Sequence, residues 1–511
     1  MVSYGFESSD LLPELVPIRD RIEKIARSYG LDFFDTIFEM IDYDQMNAFA
    51  AFGGFPVRYP HWRFGMDYDQ LSKGYEFGLQ KIYEMVINTS PAYAYLMKSN
   101  AMVDQKTVMA HVYGHVDFFK NNVWFSKTNR KMLDTMANHA VRIRSYMEDL
   151  GEDTVEQLLD LALSLEHLID PNLPFLEKPN RLPENIDDSG APDRTLARFK
   201  NERPYMEDFI NPPAYLAEQQ RISIDEQSKT KKIPEEPTLD VFGFLIQHAP
   251  LKDWERSVLS MVRDEAYYFV PQVQTKIMNE GWASYWHSKI MTEHVLDASE
   301  IIDFCDHHAG TLATQPGRLN PYKLGIELFR DIEDRWNRGA FGKEYDECDN
   351  LVEKAKWDRK TGLGRAKIFE VRKVCNDVTF IDQYITPEFV DRYKFYHYGL
   401  NRKTNQYEIL DRDFKTIKER LLTQLTHRGQ PYIYVVDANF ENQSELLLKH
   451  KHLGSDLDPK WMIETLRSIA SLWRRPVSIS TIMEGQPKLF RVGYKSGRPD
   501  EVSEKPVSEQ I

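Results

Sequence analysis

The stretch AHVYGHVDFFKNN at 110–122 sets two histidines, His111 and His115, four residues apart. On a helix that spacing puts both imidazoles on one face, with Cβ atoms about 6 Å apart. Two neutral imidazoles so placed can share one Zn²⁺, Mn²⁺ or Fe²⁺ ion. Val108, Val112, Val116 and Phe119 run along or beside the same stripe, so the pair is expected to point inward. Buried imidazoles need partners. A shared ion is one answer; hydrogen bonds to backbone or carboxylates inside a helical core are the other.

A second segment, DEAYYFVPQVQTKIMNEGWASYWHSKIMTEHVL at 264–296, carries the matching chemistry. Proline is well tolerated in a first helical turn, so a helix is predicted to start near Pro271. Glu280, His287 and His294 then recur every seven residues and form one stripe. Ala283 and Ser284 leave space beside Glu280 for an ion or substrate. A carboxylate among Trp282, Tyr285 and Trp286 needs a cation or donors once buried, although a salt bridge to a neighbouring helix would serve as well. His139 and Glu166-His167 read as satisfied core residues, and His307-His308 as imidazole caps at a helix C-terminus.

The elements that must position these groups read as mainly helical. Residues 10–50 show helical spacing, with Pro13 and Pro17 in the first turns. Residues 53–65 (GGFPVRYPHWRFG) read as a loop whose aromatic content packs it against a core. Asp67 to about Gly151 is read as helix broken once at Ser90–Pro91, with Asp104 capping the helix of His111, and 153–170 as a further amphipathic helix. From about 171 to 237 the chain turns polar and proline-rich, a long surface excursion with a short helix near Pro213–Arg221. Helical periodicity returns from Val241 to about Tyr393. Residues 396–495 alternate β-rich runs with two helical stretches, which predicts a separate α+β domain with a mostly antiparallel sheet, and 496–511 read as a polar tail. The expected organisation is thus a mainly α protein: a large helical domain over 1–395 followed by a small α+β domain.

Composition bounds the function. With 511 residues and a 42% hydrophobic fraction the chain is long and apolar enough for a sizeable core and two to four domains. The net charge of −14 argues against general nucleic-acid binding, which needs a basic face. Three cysteines, Cys305, Cys348 and Cys375, form no CxxC pair and suggest a reducing compartment. The N-terminal residues lack the pattern of a signal peptide, and no apolar run approaches 18 residues. A cytoplasmic protein with no membrane span is expected.

Four long blocks, HVYGHVDFFKNN, YYFVPQVQTKIMNEGWASYWH, INTSPAYAYLMKSNAMVDQKTVMAHV and GGFPVRYPHWRFG, resemble the SpoVR (stage V sporulation protein R-like) family over most of residues 10–490. The resemblance implies a bacterial protein with a role linked to spore-cortex formation or stress physiology. It also implies a PrkA-type serine kinase and a von Willebrand factor A-like protein as partners. A second resemblance is to zincin metallopeptidases, which would make His111, His115 and Glu280 the three metal ligands. The glutamate that serves those enzymes as general base is replaced here by Val112, so Asp117, Glu265 or His287 would have to take its role. The reading reached is a metal-dependent hydrolase, amidase- or peptidase-like. Its alternatives are a non-catalytic regulatory scaffold and, with an iron centre, a metal oxidoreductase.

Overall fold

The structure, a computed structural model, describes residues 9–76, 84–176, 232–315, 318–402, 404–427 and 429–505. Most of the proline-rich excursion, with the helix expected near 213–221, falls outside these residues. The chain forms two compact units, Met1–Leu163 with Lys252–Gln430, and Ser164–Leu251 with Pro431–Ile511.

The first unit opens with a short strand β1 (Ser9–Asp10), helix α1 (Val16–Ser28), strand β2 (Thr36–Ile41) and helices α2 (Tyr43–Ala51) and α3 (Trp62–Glu76). Pro17 lies in the first turn of α1, as its missing N–H allows. Strands β3 (Glu84–Ile87) and β4 (Ala92–Met97) complete a four-stranded sheet in the order β1-β2-β4-β3. β2 and β4 run parallel, while β1 and β3 are antiparallel edges. This sheet corrects the all-helical expectation for 10–50 and 67–151. A short apolar run such as AYAYLM, buried on both faces, has no alternation that separates strand from helix.

From β4 the chain enters α4 (Met102–Asn121), the helix of His111 and His115. Between Val103 and Phe119 every side chain except that of Thr107 is buried, so α4 is a core helix rather than a surface one. Its N-cap is Ala101; Asp104 sits in the first turn and accepts from His307 instead of capping. Helices α5 (Met132–Leu150) and α6 (Glu152–Leu165) follow.

After the excursion comes α7 (Val241–His248), an element of the second unit, and the first unit resumes with α8 (Asp253–Gln274) and α9 (Lys276–Ile290). Pro271 does not begin a helix: it lies inside α8, and the break comes at Thr275. A proline disturbs the turn before it and leaves the chain free to run on, and Thr275 closes the helix by donating from its hydroxyl to the Pro271 carbonyl at 2.7 Å. Both carboxylate oxygens of Asp377 accept from the first amides of α9, Ile277 N and Met278 N, at 2.9 Å. That ties down the helix end whose dipole favours negative charge.

Helix α9 is buried because two neighbours approach it closely. A Cβ on Gly114 of α4 would stand 2.7 Å from the Cα of Ala283. A Cβ on Gly281 would stand 2.4 Å from the carbonyl carbon of Gly325, on α11 (Pro321–Arg338). Between them lies α10 (Ile301–Thr311), and beyond α11 come α12 (Gly364–Val374), α13 (Asp377–Tyr384) and α14 (Pro387–Tyr393). The hairpin β5 (His397–Asn401) and β6 (Gln406–Asp411) and helix α15 (Phe414–His427) close the unit, so residues 396–430 belong here and not with the C-terminal sheet.

The second unit is built on a five-stranded sheet in the order β11-β10-β9-β8-β7, comprising β7 (Ile433–Phe440), β8 (Glu445–His450), β9 (Val477–Met483), β10 (Gln486–Lys495) and β11 (Arg498–Lys505). All neighbours are antiparallel except β8 and β9, which the crossover helix α16 (Pro459–Trp473) joins in parallel. Leu446, Leu448, Leu466, Ile469, Val477 and Ile479 supply its core. Residues 498–505, expected to belong to a polar tail, are instead an edge strand paired to β10.

Candidate metal centre

α4 presents His111 and His115 from successive turns, and α9 brings Glu280 to meet them. The Nε2 atoms of the two rings lie 3.6 and 3.5 Å from Glu280 Oε2. All three ligand atoms fall within 4.8 Å of one another. The close contact of Gly114 with Ala283 sets this distance: each glycine or alanine adjoins a ligand-bearing turn, and a larger residue would push the helices apart.

The other nitrogen of each imidazole is held. His115 Nδ1 meets Asn279 Oδ1 at 2.9 Å, so it carries the proton and leaves the Nε2 lone pair facing Glu280. His111 Nδ1 meets His287 Nδ1 at 2.8 Å, and His287 Nε2 reaches His308 Nδ1 at 3.1 Å. Burial and the adjacent His111 imidazole hold His115 down at about 4. The same causes push His287 well below its ordinary value. For Glu280, burial opposes ionisation, but the imidazoles of His111 and His115 and the Lys276 ammonium win and hold the carboxyl below its usual range. The arrangement sets a carboxylate oxygen against two imidazole nitrogens, a donor set suited to a divalent cation.

Two further groups border the cluster that sequence patterns did not reveal. The ring of Tyr322, at the start of α11, stacks on His111 with centroids 6.3 Å apart, and burial followed by the Glu280 charge pushes its phenol far up. Glu84, at the start of β3, lies within electrostatic reach of His111, Glu280 and Asp104; burial pushes its carboxyl up. Each is a single residue from an element distant in sequence, so no local spacing signals it. Asn279 adjoins Glu280 in the NEGWA stretch and was within reach of the motif.

The remaining expected residues are placed as follows. His287 joins the cluster through His111. Asp117 does not: it points to the other side of α4, where it accepts from Trp282 Nε1 at 2.7 Å and Asp32 N at 2.8 Å and pairs with Arg372 at 3.2 Å. Glu265 does not either. It is buried between Arg58 at 2.8 Å and His139 Nδ1 at 2.9 Å, with the Tyr59 hydroxyl at 3.1 Å. That network binds the aromatic loop, whose Phe55 and Tyr59 are buried, to α8 and α5; the loop ends before Trp62, where α3 begins, short of the residue 65 expected. His294 leaves the stripe of Glu280 and His287, because the chain widens into a π-turn at Met291–Val295 and the seven-residue spacing no longer returns to the same face. It is exposed and meets Tyr29 Oη at 2.8 Å. His307 pairs with Asp104 at 2.6 Å, and His308 with His287, so neither merely caps its helix.

Two family models match the chain, that of SpoVR like protein over residues 10–430 and that of the SpoVR-like C-terminal domain over residues 431–484. The boundary between them coincides with the start of the C-terminal segment of the second compact unit. The uncharacterized protein YcgB of Escherichia coli (strain K12) is 28% identical over 482 residues, 88% of each chain. No solved structure matches.

Proposed function

This chain belongs to the SpoVR family, and on that footing we propose that His111, His115 and Glu280 hold one divalent metal ion and serve hydrolysis of an amide-type bond in a peptide or cell-wall-related substrate. Two imidazoles and one carboxylate suit Zn²⁺ first, with Mn²⁺ or Fe²⁺ as alternatives. A cytoplasmic setting belongs to the same proposal; no described helix is long and apolar enough to cross a membrane.

The observation that carries the reading is the state of Glu280 Oε2. It is buried and has no hydrogen-bond partner among the described residues. Its separations of 3.5 and 3.6 Å from the two Nε2 atoms are too long for hydrogen bonds. They match the ~3.4 Å spacing of neighbouring ligands around a tetrahedral ion with bonds of about 2.1 Å. One helical turn on, Ser284 Oγ is also buried without a partner, a second polar atom on the same face. Leaving both unsatisfied is costly, and an ion with its solvent answers for both. A divalent cation held here would polarise a carbonyl and lower the pKa of water toward neutrality. Asn279 and His287 orient the imidazoles for it, the arrangement in which outer partners fix tautomer and ring angle.

Untagged full-length protein tests this. It is expected to carry close to one equivalent of metal, lost in His111→Ala, and to cleave amide bonds in peptide or muropeptide substrates in a metal-dependent way that Glu280→Gln abolishes. Metal-free wild type whose stability ignores added Zn²⁺ and Mn²⁺ ends the proposal.

One observation favours a second reading. Val112 is fully buried in the core, so α4 offers no base between its histidines. The chain would then be a metal-containing scaffold working with a PrkA-type serine kinase and a von Willebrand factor A-like protein. Under it, Glu280→Gln protein that still folds keeps its physiological effect.

A further inference from the structure

Helix α10 covers His287 of the histidine cluster with very little apolar packing of its own. Of its eleven residues only Phe304 is buried, whereas Ile301 and Ile302 stand 47% and 72% exposed. In α9, against which it rests, eleven of fifteen residues are buried. A helix as short as α10 is marginal by itself in water, so it depends on what docks it. Elements held by so few apolar contacts open locally long before the fold does.

Polar ties do most of the docking, and they come from the two ligand helices. The Glu300 carboxylate, at the start of α10, receives Lys106 Nζ of α4 at 2.7 and 2.8 Å. His307 Nδ1 meets Asp104 Oδ1, also of α4, at 2.6 Å. His308 Nδ1 meets His287 Nε2 of α9 at 3.1 Å. Phe304 lies between the last two rings, stacked on His308 with centroids 5.5 Å apart and edge-on to His287 at 6.2 Å. Past the helix, Asn320 Nδ2 donates to the carbonyls of Thr311 and Ala313 at 2.8 and 2.9 Å, which anchors that end to the start of α11.

The ligand side chains are only 8 and 16% exposed, so a substrate reaches them when a neighbouring element yields. α4, α9 and α11 meet almost backbone to backbone at Gly114, Gly281 and Gly325 and cannot part without opening the core. α10 can. We infer that α10 is a hinged cover on the metal centre, drawn shut through His308 when an ion is bound. The inference rests on the metal reading and adds to it a control of access.

An ion on His111 Nε2 leaves the ring proton on Nδ1 and polarises that N–H. His287 must then accept at Nδ1 and present its own N–H, at Nε2, to His308. The ion thus fixes the direction of both hydrogen bonds and strengthens them in series, and the second ends on the cover. Opening breaks that bond and weakens the hold on the ion. By linkage, the factor by which the ion favours closure equals the factor by which closure favours the ion.

Hydrogen exchange of the full-length protein, followed by mass spectrometry with and without saturating Zn²⁺, reads closure; competition against a chelator reads affinity. In the wild type Zn²⁺ should slow exchange of the Phe304–Thr311 amides about tenfold, within the usual range of such couplings. In His308→Ala the slowing should shrink below about twofold, and Zn²⁺ affinity should fall by about the same tenfold. His308→Asn, which can still accept a hydrogen bond, should restore part of both. Glu300→Gln separates docking from coupling: exchange should quicken with and without Zn²⁺, while the slowing by Zn²⁺ and the affinity stay near wild type. Zn²⁺ that binds the wild type without slowing exchange in α10 overturns this inference and leaves the metal reading standing. Equal slowing in wild type and His308→Ala does the same. A wild type that takes up no Zn²⁺ removes the metal reading and the cover with it.

Discussion

His111 and His287 face each other nitrogen to nitrogen, their Nδ1 atoms 2.8 Å apart. Such a contact requires one ring to donate and the other to accept. If His111 is to offer a lone pair at Nε2 toward Glu280, its Nδ1 carries the proton and His287 accepts. His287 then carries its own proton at Nε2 and donates to His308. The ligand role of His111 is therefore set two residues away. Replacing His287 by Phe should weaken Zn²⁺ binding about 10- to 100-fold, the usual cost of removing a partner that orients a metal-bound imidazole. His287→Asn, which can still accept, should recover part of it. Competition against a chelator measures both, and a wild-type affinity in His287→Phe would refute the relay.

The same burial gives the metal-free protein a pH dependence with a definite sign. His115 titrates at about 4 when folded, against an ordinary value of 6.5. Between those values the unfolded chain binds the proton and the folded one does not, so stability falls as pH drops through this window and levels off below it. His287 and His308 act in the same direction. Asp117 opposes them: burial pushes its carboxyl from 3.8 up to about 6, so in that range its folded form binds the proton first and gains stability on acidification. For His115 alone the loss between pH 7 and about 4.5 is of order 2–3 kcal/mol. His115→Phe removes that contribution, so its stability relative to wild type should improve by about this amount on acidification. Urea midpoints of metal-free protein at the two pH values decide it, and a constant difference would show that His115 is not shifted.

The cluster was legible in the sequence because its signals are local. A four-residue histidine spacing and a lone glutamate in an aromatic run both survive translation into helices. What could not be read came from tertiary context. Short strands such as EMVI and AYAYLM are buried on both sides or too brief to alternate, so their four-stranded sheet passed for helix. The polar run RPDEVSEK became a strand through its neighbour β10. The helix break moved from Pro271 to Thr275 because Asp377, a hundred residues on, fixes where α9 begins. Asp117 and Glu265 had suitable types and nearby positions, yet arginines from elsewhere claim both.

Glu265 makes the distinction between holding the fold and serving the site measurable. It shares a buried pocket with Arg58, whose side chain is 7% exposed, and with His139. Glu265→Ala strands a guanidinium away from water and should cost about 3–5 kcal/mol in urea unfolding. Glu265→Gln, which keeps a hydrogen-bonding oxygen, should cost less. Metal uptake per folded molecule should stay at the wild-type level in both. A variant with normal stability and diminished metal would move Glu265 into the site.

The tightest constraint on the centre is steric, and glycines set it. Gly114 precedes His115 and Gly281 follows Glu280, and at each a Cβ would fall within 3 Å of the neighbouring helix backbone. On an isolated helix Gly→Ala gains about 1 kcal/mol. Here the added methyl meets main chain that cannot rotate away, so overpacking of about 1–3 kcal/mol should prevail and reverse the sign. Gly310→Ala in α10 is the control, because a Cβ there meets nothing within 4 Å. Thermal unfolding should show Gly114→Ala and Gly281→Ala destabilised and Gly310→Ala neutral or stabilised. The first two displace ligand-bearing turns as well as strain the fold, so their Zn²⁺ affinity should fall by about tenfold or more, whereas that of Gly310→Ala should not change. If Gly114→Ala binds metal as tightly as wild type, the spacing of α4 and α9 does not govern the site.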